Sequence, residues 1–265
     1  MTVTTPFDDR PGLRRLVVTG HPNHELAILG FAQRFRPRFL FLTDGGAEAR
    51  MNESREALAS LGLLDQARFL AWPEERFYRA LLDGDLPFFR EVVAQVRSEI
   101  DTVSPAEVLC ERIEYYNPLH DVTLPIVRAA LRGRPARIVE FPLIAQEPGE
   151  PERYRVNRLA PGDPAEVLEL RLTPDELATK LEAGERRYPS LRRQMGAVLD
   201  GLPPERSAVE HFVSAAAGLP APGPEDVLRY EWRGRRLKDG GQVDRVITWT
   251  DHFLPFAKAL EAAPG

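Results

Sequence analysis

Five short apolar runs, with helix-patterned segments between each and the next, fill the first 141 residues of this 265-residue chain. That alternation constrains the fold more than any other feature. Leu16 to Thr19 ends at Gly20, and Phe39 to Thr43 stops at Asp44-Gly45-Gly46. Ala67 to Ala71, Glu107 to Cys110 and Arg137 to Phe141 complete the set. Runs of this length between turn residues read as buried strands. Helical patterns occupy 24–34, 50–61, 75–82, 87–102 and 121–132. Strands alternating with such helices predict an α/β fold: a Rossmann-like, mainly parallel sheet with helices on both faces.

Beyond residue 150 the pattern changes. Val167 to Leu172 reads as a strand, and a Thr-Pro-Asp-Glu cap at Thr173 opens a helix expected to run to about Leu199. Tyr230 to Arg233 and Val243 to Thr250 read as further strands. Prolines cluster at 143–164 and 202–224, where stiffened loops are expected. No clear linker separates the halves. The reading is therefore one domain over 1–265, a core of about 14–150 with a C-terminal α+β elaboration over 151–265.

Composition narrows the function classes. Lys+Arg 35 against Asp+Glu 40 gives a net charge of −5 with both signs interspersed, and no basic stripe with aromatics points to nucleic acid. Cys110 is the single cysteine, which excludes an internal disulfide and a thiolate-rich metal site. The N-terminal segment lacks a signal-peptide pattern, and no apolar run reaches the ~18 residues of a membrane span. A soluble, cytoplasmic protein is expected, its oligomeric state left open. No glycine-rich phosphate loop is present.

In open parallel sheets, ligands bind beyond the carboxyl ends of the strands. Two strand-to-helix loops carry three of the five histidines: Gly20-His21-Pro22-Asn23-His24-Glu25, and Glu114 to Asp121 with His120. A pair of imidazoles and a third from a distant loop match the three protein ligands of a catalytic zinc site, which leaves one position for water. Such pairs are also common on helix surfaces, so spacing alone leaves both readings open. His211 and His252 are isolated; His252 is a weaker candidate for the pocket, read in preference as a satisfied histidine at a helix start. Trp72, Phe77, Phe88 and Phe89 read as helix packing, and Arg186, Arg187, Arg192 and Arg193 as a solvated face.

The run "VVTGHPNHE" resembles the first motif of the LmbE/PIG-L family of zinc-dependent N-deacetylases, usually Ala-His-Pro-Asp-Asp-Glu after the first strand. "LTDGG" at 42–46, Arg50-x-x-Glu53 with Leu61-Gly62, and "NPLH" at 117–120 follow in the family's order. The stretch from Leu170 to Met195 resembles its late helix. The resemblance implies zinc, or another divalent ion that imidazole suits, held by His21, His24 and His120. His24 stands where the family has an aspartate ligand. Arg50 falls at a substrate-contacting arginine, and Tyr115 where some members place a tyrosine near the reacting carbonyl. The activity implied is hydrolysis of an amide of a small polar, sugar- or amine-containing metabolite by zinc-bound hydroxide.

The chain departs from the family at the proton-transfer positions. The usual general base is Asn23, which has no useful basicity but can hold a water. The second motif's leading histidine is Asn117, left to support the oxyanion with Tyr115, and its internal aspartate is Leu119. Three histidines raise the charge around Zn²⁺ to about +2, against about +1 with two histidines and an aspartate. The pKa of bound water then falls towards ~7 without a strong neighbouring base. Glu25 and Asp121 are possible proton acceptors, though the structural reading of each is preferred, as a loop brace and as a helix cap or histidine-orienting group. The departures leave two alternatives open: a metal-dependent lyase or cyclase, and a catalytically silent ligand-binding homologue.

Overall fold

In the computed structural model, residues 4–262 are described apart from 9, 11, 148–149, 160–165, 201–203, 224–225 and 227. The five expected strands form β2 (Arg15–Thr19), β3 (Arg38–Thr43), β4 (Ala67–Trp72), β5 (Glu107–Glu111) and β6 (Arg137–Phe141). They pair in parallel in the order β6-β5-β2-β3-β4. The chain is thus an α/β protein with a Rossmann-like, mainly parallel sheet. Three strands extend it beyond β6: β10 (Val209–Ser214) runs antiparallel to β6 and to β9 (Val167–Arg171), and β1 (Thr4–Pro6) lies parallel to β9.

Alternation along each central strand divides the core in two. Leu16, Val18, Leu40, Leu42, Val108 and Cys110 face one layer, packed with side chains from helices Glu74–Asp83, Leu86–Val103, Thr123–Leu131 and Leu254–Ala262. Val17, Phe39, Phe41, Leu109 and Val139 face the other, with Phe31 of helix Leu29–Phe35 and Leu58 of helix Glu48–Ser60. A strand buried on both faces reads as a continuous apolar run, which is why β2, β3 and β5 stand out in the sequence.

The later half departs from expectation. β10 is not expected from the sequence, because Glu210 and His211 interrupt its apolar pattern. Nor is the hairpin of β7 (Ile144–Glu147) and β8 (Glu150–Val156), which lies among the prolines of 143–164. The helix expected from Thr173 to Leu199 is two, Pro174–Arg186 and Pro189–Asp200. Pro189 cannot donate into a continuing helix, and the preceding Tyr188 is fully buried. The capping box at Thr173 is present, with Glu176 as its partner. Tyr230 to Arg233 is the first turn of helix Arg229–Asp239, not a strand. Its aromatics favour a strand locally, but Glu231 pairs with Arg235 one helical turn on, at 2.6 Å, and accepts the Trp249 amide at 2.8 Å. Val243 to Thr250 forms no strand either; it leads into a π-helical turn, Trp249–Phe253, capped by Thr248.

β10 is tied to the first half by Glu210. Its fully buried carboxylate accepts the amides of Gly30 and Phe31, at 2.8 and 2.7 Å, and the ammonium of Lys180 at 2.7 Å. Lys180 also donates to the Ala27 carbonyl at 2.7 Å. Removing one partner of such a pair leaves an uncompensated buried charge. Glu210→Ala is therefore expected to lower the unfolding free energy in urea by about 3 kcal/mol or more, and Lys180→Met in the same background to recover part of it.

Candidate functional site

Strand order reverses between β2 and β5, since the chain leaves β2 toward β3 and leaves β5 toward β6. The loops after these two strands therefore flank one crevice. They pass very close together: a Cβ on Gly20 would lie 2.7 Å from the Leu119 carbonyl and 3.0 Å from Glu111 Oε2, so only glycine fits. Asn23 has a φ of 79°, a left-handed conformation that asparagine tolerates, and a 3-10 turn, His24–Ile28, begins after it. On the second loop Asn117 caps the short helix Pro118–Asp121, accepting the Leu119 amide at 2.9 Å, and so sets the position of His120.

His21, His24 and His120 meet in this crevice. Their ring centroids lie 4.9, 5.4 and 4.5 Å apart in pairs, with one nitrogen of each within 4.8 Å of the others. Glu111 Oε1 lies 2.6 Å from His24 Nδ1. A proton on Nδ1, donated to Glu111, leaves the Nε2 lone pair of His24 free for a metal. The remaining bonds of Glu111 come from the Gly20 amide at 2.9 Å and the Thr123 hydroxyl at 3.0 Å. Burial holds all three imidazoles well below their ordinary pKa; His24 and His120 add repulsion at His21, His24 adds it at His120, and Arg50 adds it at all three. Neutral imidazole is the metal-binding form. His120 Nδ1 is also buried with no hydrogen-bond partner. The donor set fits a divalent ion.

The other residues singled out in the sequence divide into two groups. Asn23 is buried beside the histidines, but its amide is engaged: Nδ2 donates to Glu53 Oε2 at 2.8 Å, and Oδ1 accepts from Ser54 at 3.1 Å. Asn117 Nδ2 lies 3.4 Å from His21 Nε2. Arg50 lines the cavity and braces both neighbouring loops through the carbonyls of Gly45 and Pro22, at 3.2 and 3.0 Å. Tyr115 is not brought to the site. Its φ of 58° turns the chain so that its ring packs on Trp249, at 5.2 Å, while Tyr116 lines the cavity with its ring 5.9 Å from His120. Glu25 is fully buried and bonded to the Tyr188 hydroxyl at 3.1 Å. Asp121 caps no helix; it accepts the Glu114 amide at 2.9 Å, and burial pushes its carboxyl up to about 8. Both brace the loops. His252 accepts the Thr248 amide at 3.0 Å, and His211 lies in β10 beside Asn157.

Two carboxylates at the site escape sequence reading. Glu111 closes an apolar strand, and Glu74 opens a helix. A charge at the carboxyl end of a buried strand was the available signal for the first. Glu74 Oε2 lies 3.5 Å from His21 Nδ1, and Tyr78 donates to its other oxygen.

The crevice widens into a cavity of about 1170 Å³. Its lining beyond the histidines mixes cations with Leu143, Ile144, Tyr154, Leu191, Met195 and Ile247. Among the described residues no helix is long and apolar enough to cross a membrane.

Neither a protein-family model nor a curated protein matches the sequence. Solved structures do share the fold. A deacetylase of the teicoplanin biosynthesis pathway is 16% identical with a TM-score of 0.54, covering 77% of this chain and 100% of its own. The A40926 pseudoaglycone deacetylase Dbv21 is 16% identical with a TM-score of 0.55, over 79% of this chain and 99% of its own. The zinc-inhibited form of teicoplanin deacetylase Orf2 is 15% identical with a TM-score of 0.51, over 86% and 94%. The chain thus has the fold of these deacetylases, which is the fold that the resemblance of its motifs implied.

Two outcomes test the site. Each histidine has its folded pKa below the ordinary 6.5, so below that pH the unfolded chain takes up protons first and stability falls. Metal-free protein is expected to lose about 1 kcal/mol relative to His120→Asn between pH 7.5 and 5.5, read from urea unfolding. Asn23→Asp sets a carboxylate against buried Glu53. It is expected to destabilise by about 1–3 kcal/mol at pH 8, read from urea unfolding.

Proposed function

We propose that this chain is a metal-dependent hydrolase of the N-deacetylase type, acting on an amide of a small, sugar- or amine-containing metabolite. The observation that carries this reading is the set of three buried, neutral imidazoles at the strand-order reversal, opening on a cavity large enough for such a substrate. His21, His24 and His120 would hold the ion, taken as zinc. Once bound, such an ion polarises a carbonyl and acidifies water.

The chain's own groups supply the rest. Glu111 orients His24, and Thr43, with Oγ1 3.4 Å from His21 Nδ1, steadies His21. Asn117 Nδ2 is a donor within the histidine cluster, able to support a carbonyl oxygen as charge develops on it. Asn23 contributes position rather than basicity, since its amide has two protein partners and no lone pair basic enough to take a proton. Glu74 and Glu185 are the carboxylates among the described lining residues, and Glu74 is the one in contact with a histidine. Glu74 Oε2 is the atom to which a proton from a water in the cavity would pass.

The engagement of Asn23 with Glu53 and Ser54 favours a second reading, in which the metal is kept and the step is a lyase or cyclase reaction. Metal analysis of the purified protein, followed by turnover of an N-acetyl amino-sugar panel in ¹⁸O-water, separates the two. Hydrolysis predicts about one zinc per chain, label in the released carboxylate, and loss of at least 100-fold in kcat/KM with His24→Ala or Glu111→Ala. A metal-loaded protein that converts its substrate without taking up label has the second activity.

A further inference from the structure

Helix Arg229–Asp239 presents Arg229, Arg233 and Leu237, four residues apart in turn, to the cavity. The two arginines are unlike their neighbours. Arg235 pairs with Glu231 and Arg245 with Asp83, each at 2.6 Å, whereas no carboxylate among the described residues pairs with Arg229 or Arg233. Arg233 is exposed. Arg229 is half-buried; its Nε donates to the Tyr154 hydroxyl at 3.2 Å, and its Nη1 is buried with no hydrogen-bond partner. A guanidinium nitrogen withdrawn from water and left unpaired costs stability unless something else meets it.

Placement gives that cost a meaning. Both arginines act electrostatically on Tyr116, whose ring lies 5.9 Å from His120. Cations far outnumber acids in the cavity lining, although the whole chain carries a net charge of −5. Such a concave, cationic wall concentrates anions. Arginines one helical turn apart can reach a single carboxylate or phosphate together.

We propose that Arg229 and Arg233 form an anion-binding clamp in the cavity, and that the substrate carries a carboxylate or phosphate besides the bond acted on at the histidines. The statement about the substrate rests on the hydrolase reading; the clamp itself does not. The Arg229 guanidinium lies 4.5 Å from the centre of the Trp232 ring, so an anion held there perturbs tryptophan emission.

The test is a titration of metal-free protein with inorganic phosphate at constant ionic strength, followed by tryptophan emission, with acetate as a second arm. Saturable binding is expected, about tenfold or more weaker in the Arg229→Gln/Arg233→Gln variant. The anion with the tighter binding distinguishes phosphate from carboxylate. Thermal melting reports whether the double variant is folded; if it is not, Arg233→Gln alone, at an exposed position, is expected to weaken binding about threefold or more. Equal binding by wild type and a folded variant, or no saturation with either anion, overturns the clamp. A clamp that binds its anion in a protein that neither holds metal nor hydrolyses amides overturns the hydrolase reading alone.

Discussion

The buried carboxyl of Glu111 is the tie on which the crevice depends. It stands at the end of β5, takes the amide of Gly20 from the end of β2, meets Nδ1 of His24, and receives the hydroxyl of Thr123 from the helix beyond His120. One side chain thus fixes two strand ends, a histidine and the following helix. Burial drives its pKa well above the ordinary carboxyl value, with the Gly20 and Thr123 bonds opposing that rise. A group so withdrawn from water is tolerable only while its partners stay in place. Loss of any of them would therefore loosen the histidine geometry as well as the packing.

Around that tie, the loops are held by bonds that each use a side chain twice. Asn117 caps its helix and touches His21. Arg50 joins the carbonyls of Pro22 and Gly45 while pressing positive charge on all three imidazoles. Asn23 links its own left-handed turn to helix 48–60 through Glu53 and Ser54, and Glu53 in turn accepts the Ser190 amide at 2.8 Å. The supports of the site are thus shared between its loops. Next to Glu53, the amide of Asn23 donates where a second carboxylate would repel.

The parallel core was legible in the sequence because its central strands, β2, β3 and β5, are buried on both faces and so appear as unbroken apolar runs. The histidine loops were legible for a related reason, as polar residues standing directly after such runs. What escaped depended on distant partners. β10 hides behind Glu210, a charge that makes sense only beside Lys180 and two amides far earlier in the chain. Helix 229–239 hides behind Tyr230 and Trp232, whose strand preference is overruled by the bonds of Glu231 to Arg235 and to the Trp249 amide. Tyr115 and Tyr116 are chemically alike in the sequence, and only the backbone turn between core and cavity tells them apart. Glu74 shows no feature in the sequence that separates it from Glu75 beside it.

The Glu210 bonds to Gly30 and Phe31 span 180 and 179 residues of chain. During synthesis, the helix that follows the first histidine loop therefore waits for a strand translated about 180 residues later before its opening amides gain their acceptor. Contacts of such sequence separation form late, because loop closure must precede their reward. The nascent first half, with its parallel strands already made, would emerge with an open sheet edge at β6 until β10 covers it. Such an edge is a site of mispairing, and β10 closes it by pairing with β6.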